Sequence, residues 1–379
     1  MKILHVTKRF PPYIGGIETV CENIADALDE EKYEQLVLCF NDKNETVRET
    51  RKNYKIIRAS VYKVIASQPL SKDYGKLMKE AIGEFKPDVI HFDYPNPYAA
   101  HYLIKYMKKF KFAGKFQLFW HMDIIKQKII EPLFKPQIKK LIKLADQVIV
   151  TSPNYLENTS YLPKYKDKLN IKILPLRVGD SRLTLSNEAK SLAEKIKKDN
   201  EGKVVIYFFG RHVKYKGLTY LIEANQYLDK DKVEIYLCGT GPLTEQLKEQ
   251  AKEYKNIHFL GRQSDDEINA YLMACDIFAF PSITRNEAFG ISLAEGLYFG
   301  KPAITFTIPG SGVNFVSIKD ETGLEAPNQD AKALANNINS LVNDEKLREE
   351  LSKNAKKRAL KLFTKESFDK NVKQIYKEI

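Results

Sequence analysis

Short apolar runs alternate with amphipathic helical patterns along the chain, and this alternation constrains the fold more than any other feature of the sequence. In the first half, we predict strands at 3–6, 36–40, 89–92, 116–120 and 148–151, separated by helices at 17–28, 74–85, 98–109 and 126–145. The second half repeats the scheme, with strands at 204–209, 233–238, 257–260, 277–280 and 303–306. Strands that are apolar throughout and alternate with helices predict parallel sheets with helices on both faces.

The length and the break in this alternation predict two domains. A chain of 379 residues, of which 43% are hydrophobic and 29% charged, can form two α/β domains of about 150 to 200 residues each. The regular alternation is lost over 171–187, and we place the interdomain linker at 175–187. The predicted domains are 1–178 and 179–363.

Basic residues are concentrated in the first half. The formal net charge is +12, and residues 1–180 contain 31 Lys and Arg against 21 Asp and Glu. Such a charge favours an anionic partner, whether nucleic acid, acidic lipid or a phosphorylated acceptor. Two segments, 102–115 and 126–143, combine lysines with apolar and aromatic residues, a composition that fits an anionic membrane surface or, equally, a solvated lysine face over a packed one.

No apolar run approaches the roughly 20 residues of a membrane-spanning helix, and the first ten residues do not resemble a signal peptide. We therefore predict a cytoplasmic location, with peripheral association at the inner face of the cell membrane as a hypothesis. The four cysteines are dispersed, without Cys-x-x-Cys or Cys/His clusters, which predicts free thiols and no metal site.

Residues 277–302 predict a strand, a polar loop and a helix at about 288–299. Glu287 lies in the loop and Glu295 lies within an otherwise apolar helix. A buried carboxylate needs hydrogen bonds to offset its lost hydration, and a ligand hydroxyl is one source of them. The alternative is a core Glu295 paired with an arginine. At the predicted start of the helix, the free amides of Phe289 and Gly290 favour an anion such as phosphate.

A glycine-containing turn follows strand 204–209 and runs from Gly210 to Gly217. It contains Arg211 and Lys216 just before a predicted helix. A guanidinium fork and a lysine point charge next to a helix start can bind a diphosphate, although surface cations are common and the pattern has an equally good structural explanation.

Polar residues also follow strands of the first half. Gly15 and Gly16 come between a strand and a helix and permit close approach of a ligand, but a simple tight turn is as good an explanation. His121 and Asp123 directly follow strand 116–120, at the carboxyl end where ligands bind in parallel sheets. A lone histidine is more often structural than functional.

Taken in order from Gly15 to Glu295, these elements resemble the retaining family 4 glycosyltransferases, of the glycosyltransferase group 1 type. The Glu287-x7-Glu295 spacing is similar to the signature of that family, and Gly210-Arg211 with Lys216-Gly217 is similar to its diphosphate-binding element. The resemblance implies a GT-B fold, in which two Rossmann-like domains with doubly wound parallel sheets face each other across a cleft. The first would bind the acceptor and the second the nucleotide-sugar, and the last helix, at about 364–379, would cross back to the first domain.

The resemblance also implies roles for individual residues. The implied catalytic residues are His121, Glu287, Arg211 and Lys216. The implied donor-binding residues are Gly15, Gly16, Gly210, Arg211, Lys216, Gly241, Arg262, Ala288, Phe289, Gly290, Ile291 and Glu295. Glu18 and Asp123 are implied to lie at the acceptor. The segment 176–180 departs from the pattern of the family, which puts the role of Asp180 in doubt.

The implied reaction moves a hexose-type sugar from a UDP- or GDP-sugar to a glycan or lipid-linked acceptor with retention of configuration, in the synthesis of a bacterial surface polysaccharide or glycolipid. No metal and no further cofactor are expected, because the cations take the place of a metal. A sugar-nucleotide epimerase of the same fold is an alternative. A basic nucleic-acid-binding protein is another, although no nucleic-acid-binding motif is evident and no nucleic-acid partner is expected.

Overall fold

The computed structural model describes residues 1–13, 15–31, 33–123 and 131–379, with only the backbone of 131–133. The chain divides into two compact units, one formed by Met1–Leu174 with Asp369–Ile379 and the other by Pro175–Phe368. The limits predicted from the sequence were 178/179 and 363/364. Each unit contains the parallel sheet that the alternating pattern predicts.

The helices and strands of the first unit follow the predicted alternation. They are β1 (Lys2–Val6), α1 (Gly16–Asp29), β2 (Glu34–Phe40), β3 (Val47–Arg51), β4 (Tyr54–Ala59), β5 (Lys63–Ile65), β6 (Gln68–Leu70), α2 (Tyr74–Gly83), β7 (Val89–Tyr94), α3 (Pro97–Lys109), β8 (Lys115–Trp120), α4 (Glu131–Leu144), β9 (Gln147–Val150), α5 (Pro153–Asn158) and β10 (Ile171–Ile173).

Among the described residues, the main sheet of this unit has the strand order β10-β9-β8-β7-β1-β2-β4-β3. Every pair is parallel except β3 with β4. The strand order reverses between β1 and β7, and in such sheets ligands bind beside the carboxyl ends of the strands at that point. The loop that contains Gly15 follows β1, and the tight turn at 95–96 follows β7.

The chain continues with another set of alternating elements, which form the second unit except for the last helix, most of which belongs to the first unit. They are α6 (Asn187–Asp199), β11 (Val204–Phe209), α7 (Leu218–Ala224), β12 (Val233–Cys238), α8 (Thr244–Ala251), β13 (Ile257–Gly261), α9 (Asp265–Ala274), β14 (Ile277–Phe280), α10 (Ile291–Tyr298), β15 (Ala303–Phe306), α11 (Val313–Val316), β16 (Gly323–Ala326), α12 (Ala331–Asn343), α13 (Glu345–Leu362) and α14 (Lys365–Lys377).

In the described residues of this unit, all pairs in the sheet β13-β12-β11-β14-β15-β16 are parallel. The strand order reverses between β11 and β14. The loops at 210–217 and 281–290, which contain half of the predicted donor-binding residues, therefore leave the sheet at neighbouring strand ends. Phe208 on β11 and Phe278 on β14 are fully buried, as expected for strands covered by helices on both faces.

The last residues of the chain pack into the first unit through one face of α14. Within Asp369–Ile379, the side chains of Val372, Ile375 and Tyr376 are all buried. Gln147 Nε2 donates to the carbonyl of Ile375 at 3.4 Å. This hydrogen bond joins the end of the chain to β9 of the first sheet.

The structure differs from the prediction in several elements, and among them β10 and β16 are strands that were not predicted. The segment between β2 and α2 forms β3 to β6, which the sequence pattern did not reveal because β3 and β5 are largely exposed and lack an apolar repeat. The helix predicted at 288–299 begins only at Ile291, because Gly290 has φ +93 and stands before the first turn. Phe289 and Gly290 therefore precede the helix.

The basic segments are partly described. Helix α3 buries Leu103, Tyr106 and Met107 and exposes its lysines. In 126–143, residues 126–130 lie outside the described residues, and the described lysines are exposed. In the part of the chain that the structure describes, no helix combines the length and the hydropathy that crossing a membrane requires.

Candidate active site

The loop after β11 presents one exposed and one buried cation. Arg211 directly follows Gly210 and is exposed, and among the described residues its guanidinium has no hydrogen-bond or ion-pair partner. Lys216 lies five residues further on, in a short 3-10 turn, and is 7% exposed. Gly217 has φ +65, and a Cβ at this position would stand 2.0 Å from the carbonyl oxygen of Pro281. The glycine thus lets the two loops at the switch point touch.

Lys216 and Glu287 form a largely buried ion pair in the second unit. The ammonium of Lys216 donates to Oε2 of Glu287, and the Ser282 hydroxyl donates to the same oxygen at 3.3 Å. The ammonium also lies 4.5 Å from the ring centroid of Phe280, at the end of β14. Glu287 is therefore anchored by groups from two loops.

The backbone around Glu287 is held by the loop after β15. Ser311 donates its hydroxyl to the carbonyl of Glu287. A Cβ on Gly312 would stand 2.1 Å from the carbonyl oxygen of Ala288, so only glycine allows this approach. Sequence reasoning singled out the 309–312 loop but gave it no role, and its contact with Glu287 depends on folding that brings β14 next to β15.

The start of α10 presents free backbone amides. The amides of Leu293 and Ala294 both donate to the carbonyl of Gly290, whereas those of Ile291 and Ser292 have no acceptor among the described residues. The helix dipole and these amides favour an anion, as the sequence predicted. The free amides of the first turn are, however, those of Ile291 and Ser292. Phe289 and Gly290 precede the helix, because it begins later than predicted. The side chain of Phe289 packs against Phe363.

Glu295 is the buried carboxylate of the Glu287-x7-Glu295 motif. It is 6% exposed, and its Oε1 accepts from the Nε of Arg182 and from the amide of Gly179, each at 3.3 Å. Burial raises the pKa of Glu295 above its ordinary value, and the Arg182 charge and the Gly179 hydrogen bond only partly offset this. Within the described residues, Oε2 of Glu295 has no partner, so one oxygen is held and the other can accept a hydrogen bond.

Arg182 is the residue of this cluster that sequence reasoning missed. It is 5% exposed, and its Nη1 donates to Asn269 and to the carbonyl of Asp265, while Nη2 donates to the Asp265 carboxylate at 2.8 Å. Together with Glu295, these partners fix the guanidinium between α9 and α10. The pairing of Glu295 with an arginine, which the sequence left open, is thus present. It leaves the second oxygen available.

The remaining predicted donor residues lie at the ends of neighbouring strands. A Cβ on Gly239, after β12, would stand 2.0 Å from the carbonyl oxygen of Gly210, and one on Gly241 would stand 2.3 Å from that of His212. These turns therefore pack backbone against backbone. Arg262, directly after β13, is exposed, and its side chain has no partner in the described part of the chain.

In the first unit, His121 lies directly after β8 beside an aspartate at the end of β7. His121 Nε2 is 2.6 Å from Oδ1 of Asp93, and its ring stacks on Phe119 at a centroid distance of 3.9 Å. Burial opposes the ionisation of Asp93, but the His121 charge and the hydrogen bonds from His121 and His91 outweigh it and hold the pKa of Asp93 well below its usual range. Sequence reasoning missed Asp93, although an acid at the carboxyl end of a strand is a detectable signal.

Asp123 forms several hydrogen bonds with its own unit. Its Oδ1 accepts from the indole of Trp120 at 3.0 Å, and its Oδ2 accepts from the amide and the hydroxyl of Ser160. The Asp123 amide donates to the hydroxyl of Tyr155 at 2.8 Å. These bonds hold the loop in which His121 lies and engage both carboxylate oxygens.

The glycine loop after β1 is close to an acid. Gly15 precedes α1, Gly16 begins it, and Glu18 lies in its first turn. A Cβ on Gly15 would stand 2.2 Å from Oε2 of Glu18, whereas one on Gly16 would meet no atom within 4 Å. Burial lowers the pKa of Lys8, and the nearby Glu18 charge opposes that shift. In the described residues, no group of three or more His, Cys, Asp or Glu side chains could hold a metal ion.

The chain resembles solved proteins over its whole length. It superposes on sucrose-phosphate synthase from Thermosynechococcus elongatus with a TM-score of 0.80 and 20% identity, covering 100% of this chain and 98% of that one. It also superposes on Anabaena Alr3699/HepE, solved in complex with UDP and glucose, with a TM-score of 0.76 and 19% identity over the whole of both chains. These likenesses, together with the two parallel-sheet units, define the fold as GT-B.

Sequence comparisons place the chain in a family. The model for Glycosyltransferase Family 4 matches residues 14–161, and the model for Glycosyl transferases group 1 matches residues 189–358. The chain belongs to this family of glycosyltransferases, as the sequence motifs predicted.

Curated relatives match nearly the whole chain. The O-antigen chain mannosyltransferase C of Escherichia coli is 27% identical, covering 96% of this chain and 95% of the relative. The D-rhamnosyltransferase WbpZ of Pseudomonas aeruginosa is 29% identical, covering 96% and 92% respectively.

Proposed function

We propose that this glycosyltransferase moves a hexose-type sugar from a UDP- or GDP-sugar to a hydroxyl of a glycan or lipid-linked acceptor, with retained configuration and without a metal. One observation carries the proposal. At the switch point of the second sheet, the unpartnered guanidinium of Arg211 shares a loop with Lys216, which pairs with Glu287. Ligands bind at such points, and this one offers the positive charge that a diphosphate needs.

Stabilisation of the leaving diphosphate is the main catalytic task in this proposal. Arg211 would form a bidentate contact with phosphate oxygens, Lys216 would supply a second charge, and the amides of Ile291 and Ser292 would supply hydrogen bonds. The bond between the anomeric carbon and the diphosphate breaks as the acceptor oxygen bonds to the same face of the sugar. The acceptor proton passes to the departing phosphate, so no further base is required.

The carboxylates and the histidine would bind hydroxyl groups. The free Oε2 of Glu295 is suited to the ribose hydroxyls, because its other oxygen is already held by Arg182. Glu287, anchored by Lys216, would accept from a hydroxyl of the transferred sugar. His121 would contact a sugar hydroxyl, while Asp123, whose oxygens are engaged, would hold the loop of His121.

The names of relatives support the class of product. Two of them act in O-antigen or rhamnose transfer by name, and an N,N'-diacetylbacillosaminyl-diphospho-undecaprenol N-acetylgalactosaminyltransferase of Campylobacter jejuni is 32% identical over 173 residues. The last name describes an acceptor linked to a lipid through a diphosphate. We therefore propose a role in building a bacterial surface polysaccharide or glycolipid.

The experiment that tests this function is a thermal-shift panel of UDP, GDP, ADP and TDP. A ligand that binds only the folded state raises Tm, so one nucleotide should stabilise the wild type and lose its effect in Arg211→Ala. Lys214→Ala is the matched control, because Lys214 is an exposed cation in the same loop. Equal stabilisation of the two variants by a nucleotide would contradict the proposed site. The absence of stabilisation in all three proteins would contradict it as well.

Two further measurements separate the alternatives. Turnover of a UDP- or GDP-sugar to its C2 epimer without an acceptor would identify an epimerase, whereas salt-sensitive binding of DNA without nucleotide binding would favour a nucleic-acid-binding protein. Exhaustive treatment with chelator should leave the transfer rate unchanged. A loss of rate that Mg²⁺ or Mn²⁺ restores would show that a metal is needed.

We also propose that the first unit binds the inner face of the cell membrane through its exposed lysines. Lys105, Lys108, Lys109, Lys111 and Lys115 are all exposed, and the neighbouring Phe110 is 39% exposed. Such a surface attracts anionic lipid. Flotation with anionic vesicles and not with neutral ones is the expected result, and equal flotation with both would count against it.

A further inference from the structure

A chain of buried hydrogen bonds runs through the first unit from the C-terminal helix to His121. Its members are polar side chains on neighbouring strands, each at most 4% exposed: Gln147 on β9, Gln117 on β8, His91 and Asp93 on β7, and His121 after β8. Polar groups inside a parallel sheet are costly unless all of them are satisfied. The proposed function uses only His121, so the remaining members need an explanation.

The direction of each hydrogen bond can be derived from one fixed acceptor. The carbonyl of Ile375 can only accept, so the atom of Gln147 that faces it at 3.4 Å is the amide nitrogen. Oε1 of Gln147 then faces Gln117 and accepts from its Nε2 at 2.7 Å. This leaves Oε1 of Gln117 facing Nδ1 of His91 at 2.6 Å, and that nitrogen must carry a proton.

The other side of the His91 ring faces a carboxylate. His91 Nε2 lies 3.2 Å from Oδ1 of Asp93. An ionised carboxylate has no proton to donate, so this oxygen is an acceptor. His121 Nε2 lies 2.6 Å from the same oxygen. Two hydrogen bonds to the same oxygen, one from each histidine, favour the ionised form of Asp93. Both nitrogens of His91 therefore face acceptors, and Nε2 of His121 faces one as well.

We propose that His91 is a buried imidazolium paired with the Asp93 carboxylate, and that this pair is the positioning device that holds His121 as its Nε2–H tautomer. The Nδ1 lone pair of His121 is then the atom left to accept a hydrogen bond from a hydroxyl of a bound ligand. Because His91 already balances the charge of Asp93, His121 needs no proton on Nδ1. The contact of His121 with a ligand rests on the proposed function, whereas the state of His91 does not.

A neighbouring histidine shows the contrasting case. His5 Nε2 lies 2.8 Å from Oε1 of Gln35, whose Nε2 donates to the carbonyl of Ala25, so the same argument gives a proton on Nε2. In the described residues, Nδ1 of His5 is buried without a partner, which fits a neutral ring. Burial and the nearby His91 lower the pKa of His5 to about 3. A carboxylate at hydrogen-bond distance distinguishes His91 from His5.

The other titratable groups around the pair come from four elements. They are His5 on β1, whose ring lies 5.5 Å from that of His91, Tyr376 on α14, whose hydroxyl lies 2.8 Å from Nδ1 of His91, Cys21 on α1, and His121 after β8. Burial and the Asp93 charge raise the pKa of the Cys21 thiol well above its ordinary value, so this thiol adds no charge. Burial likewise raises that of Tyr376. His91 is thus the one group in this set that can neutralise Asp93 without involving His121.

The test is nitrogen NMR of the full chain labelled at its six histidines. At pH 8, where a free histidine is neutral, one residue should keep two protonated ring nitrogens, and it should disappear from the spectrum in His91→Gln. A second histidine should show the signals of a neutral ring with its proton on Nε2, and these signals should be absent from the spectrum of His121→Gln. A neutral His91 at pH 8 would overturn the proposal, and this result needs neither substrate nor activity.

Two matched variants show whether the amide chain sets this state. Gln147→Leu removes the first amide, frees Gln117 to turn, and should convert His91 to a neutral ring. Gln35→Leu replaces an equally buried glutamine next to His5 and should leave His91 charged. An unchanged His91 in Gln147→Leu would contradict the directional argument. If that variant does not fold, the spectrum of the wild type still decides.

Kinetics link the pair to the reaction. Asp93→Asn replaces the shared acceptor by a neutral amide that cannot balance the charge of His91, so kcat should fall on the order of 10²-fold while the KM for the donor changes little. An unchanged kcat would exclude a positioning role for Asp93. If the wild type transfers no sugar, the proposed function fails while the NMR result on His91 still stands.

Discussion

The Nε of Arg182 lies 3.3 Å from Oε1 of Glu295, and this contact joins residues that are 113 positions apart in the sequence. Both side chains are almost fully buried. The arginine also bonds Asp265 and Asn269, so it keeps partners on α9 that do not depend on Glu295. The motif glutamate is thus positioned by a residue of the segment 175–187, which the sequence predicted as a linker and which belongs to the second unit.

This contact predicts strong coupling in a double-mutant cycle. Arg182→Met should lower the free energy of unfolding by about 3 to 5 kcal/mol, because it leaves a buried carboxylate without its partner. Glu295→Gln should lower the free energy of unfolding much less. The loss in the double variant should be smaller than the sum of the two single losses by at least about 1 kcal/mol. Urea unfolding of the four proteins at pH 7.5 measures this. Additive effects would show that the contact carries no coupling.

The raised pKa of Glu295 predicts a dependence of stability on pH. A carboxyl whose pKa is higher in the folded state contributes stability that is complete below its unfolded pKa, near 4.5, and is lost as the pH rises through its folded pKa. Gln cannot ionise, so the Tm of Glu295→Gln relative to the wild type should rise between pH 4.5 and pH 7.5. Paired thermal scans across this range provide the measurement, and a constant difference would contradict the raised pKa.

The buried His5 predicts the opposite trend with pH. Its pKa is lowered from 6.5 to about 3, so its contribution to stability is complete above pH 6.5 and is lost as the pH falls toward 3. One proton taken up on unfolding gives a slope of about 1.4 kcal/mol per pH unit over that window. His5→Gln should remove this slope from denaturant unfolding at pH 4 to 6. The control His101→Gln, at an exposed histidine, should keep the wild-type slope.

Two glycines with positive φ separate backbone strain from a steric clash. Gly217 has φ +65 and Gly202 has φ +81, but an added Cβ would meet the carbonyl oxygen of Pro281 at 2.0 Å in the first case and no atom within 4 Å in the second. Gly202→Ala should therefore cost only about 1 to 2 kcal/mol from the left-handed backbone. Gly217→Ala should cost clearly more and should also abolish the stabilisation by nucleotide. Equal costs in urea unfolding would show that the loops can move apart.

Much of the fold follows from local sequence. The strands at 204–209, 233–238, 277–280 and 303–306 agree with the prediction to the residue, because strands covered on both faces are largely apolar. Three of the four are followed directly by glycine or proline. The prediction failed where this signal is absent. Strand β3 is exposed and charged, and Gly290 has a backbone conformation that delays the start of α10.

For the candidate active site as well, one part followed from the sequence and another part only from the tertiary structure. The sequence by itself determined which residues follow the strand ends and how the motifs are spaced. Together with the resemblance of these motifs to family 4 glycosyltransferases, this selected as candidates His121, Arg211, Lys216, Glu287 and Glu295. Only the tertiary structure decided their partners, namely Arg182 for Glu295, Lys216 for Glu287, and Asp93 for His121. The physical reason is that a buried charge must be compensated by whichever group the packing brings within about 3 Å. Such groups come from other strands and helices, at separations along the chain that no local pattern encodes.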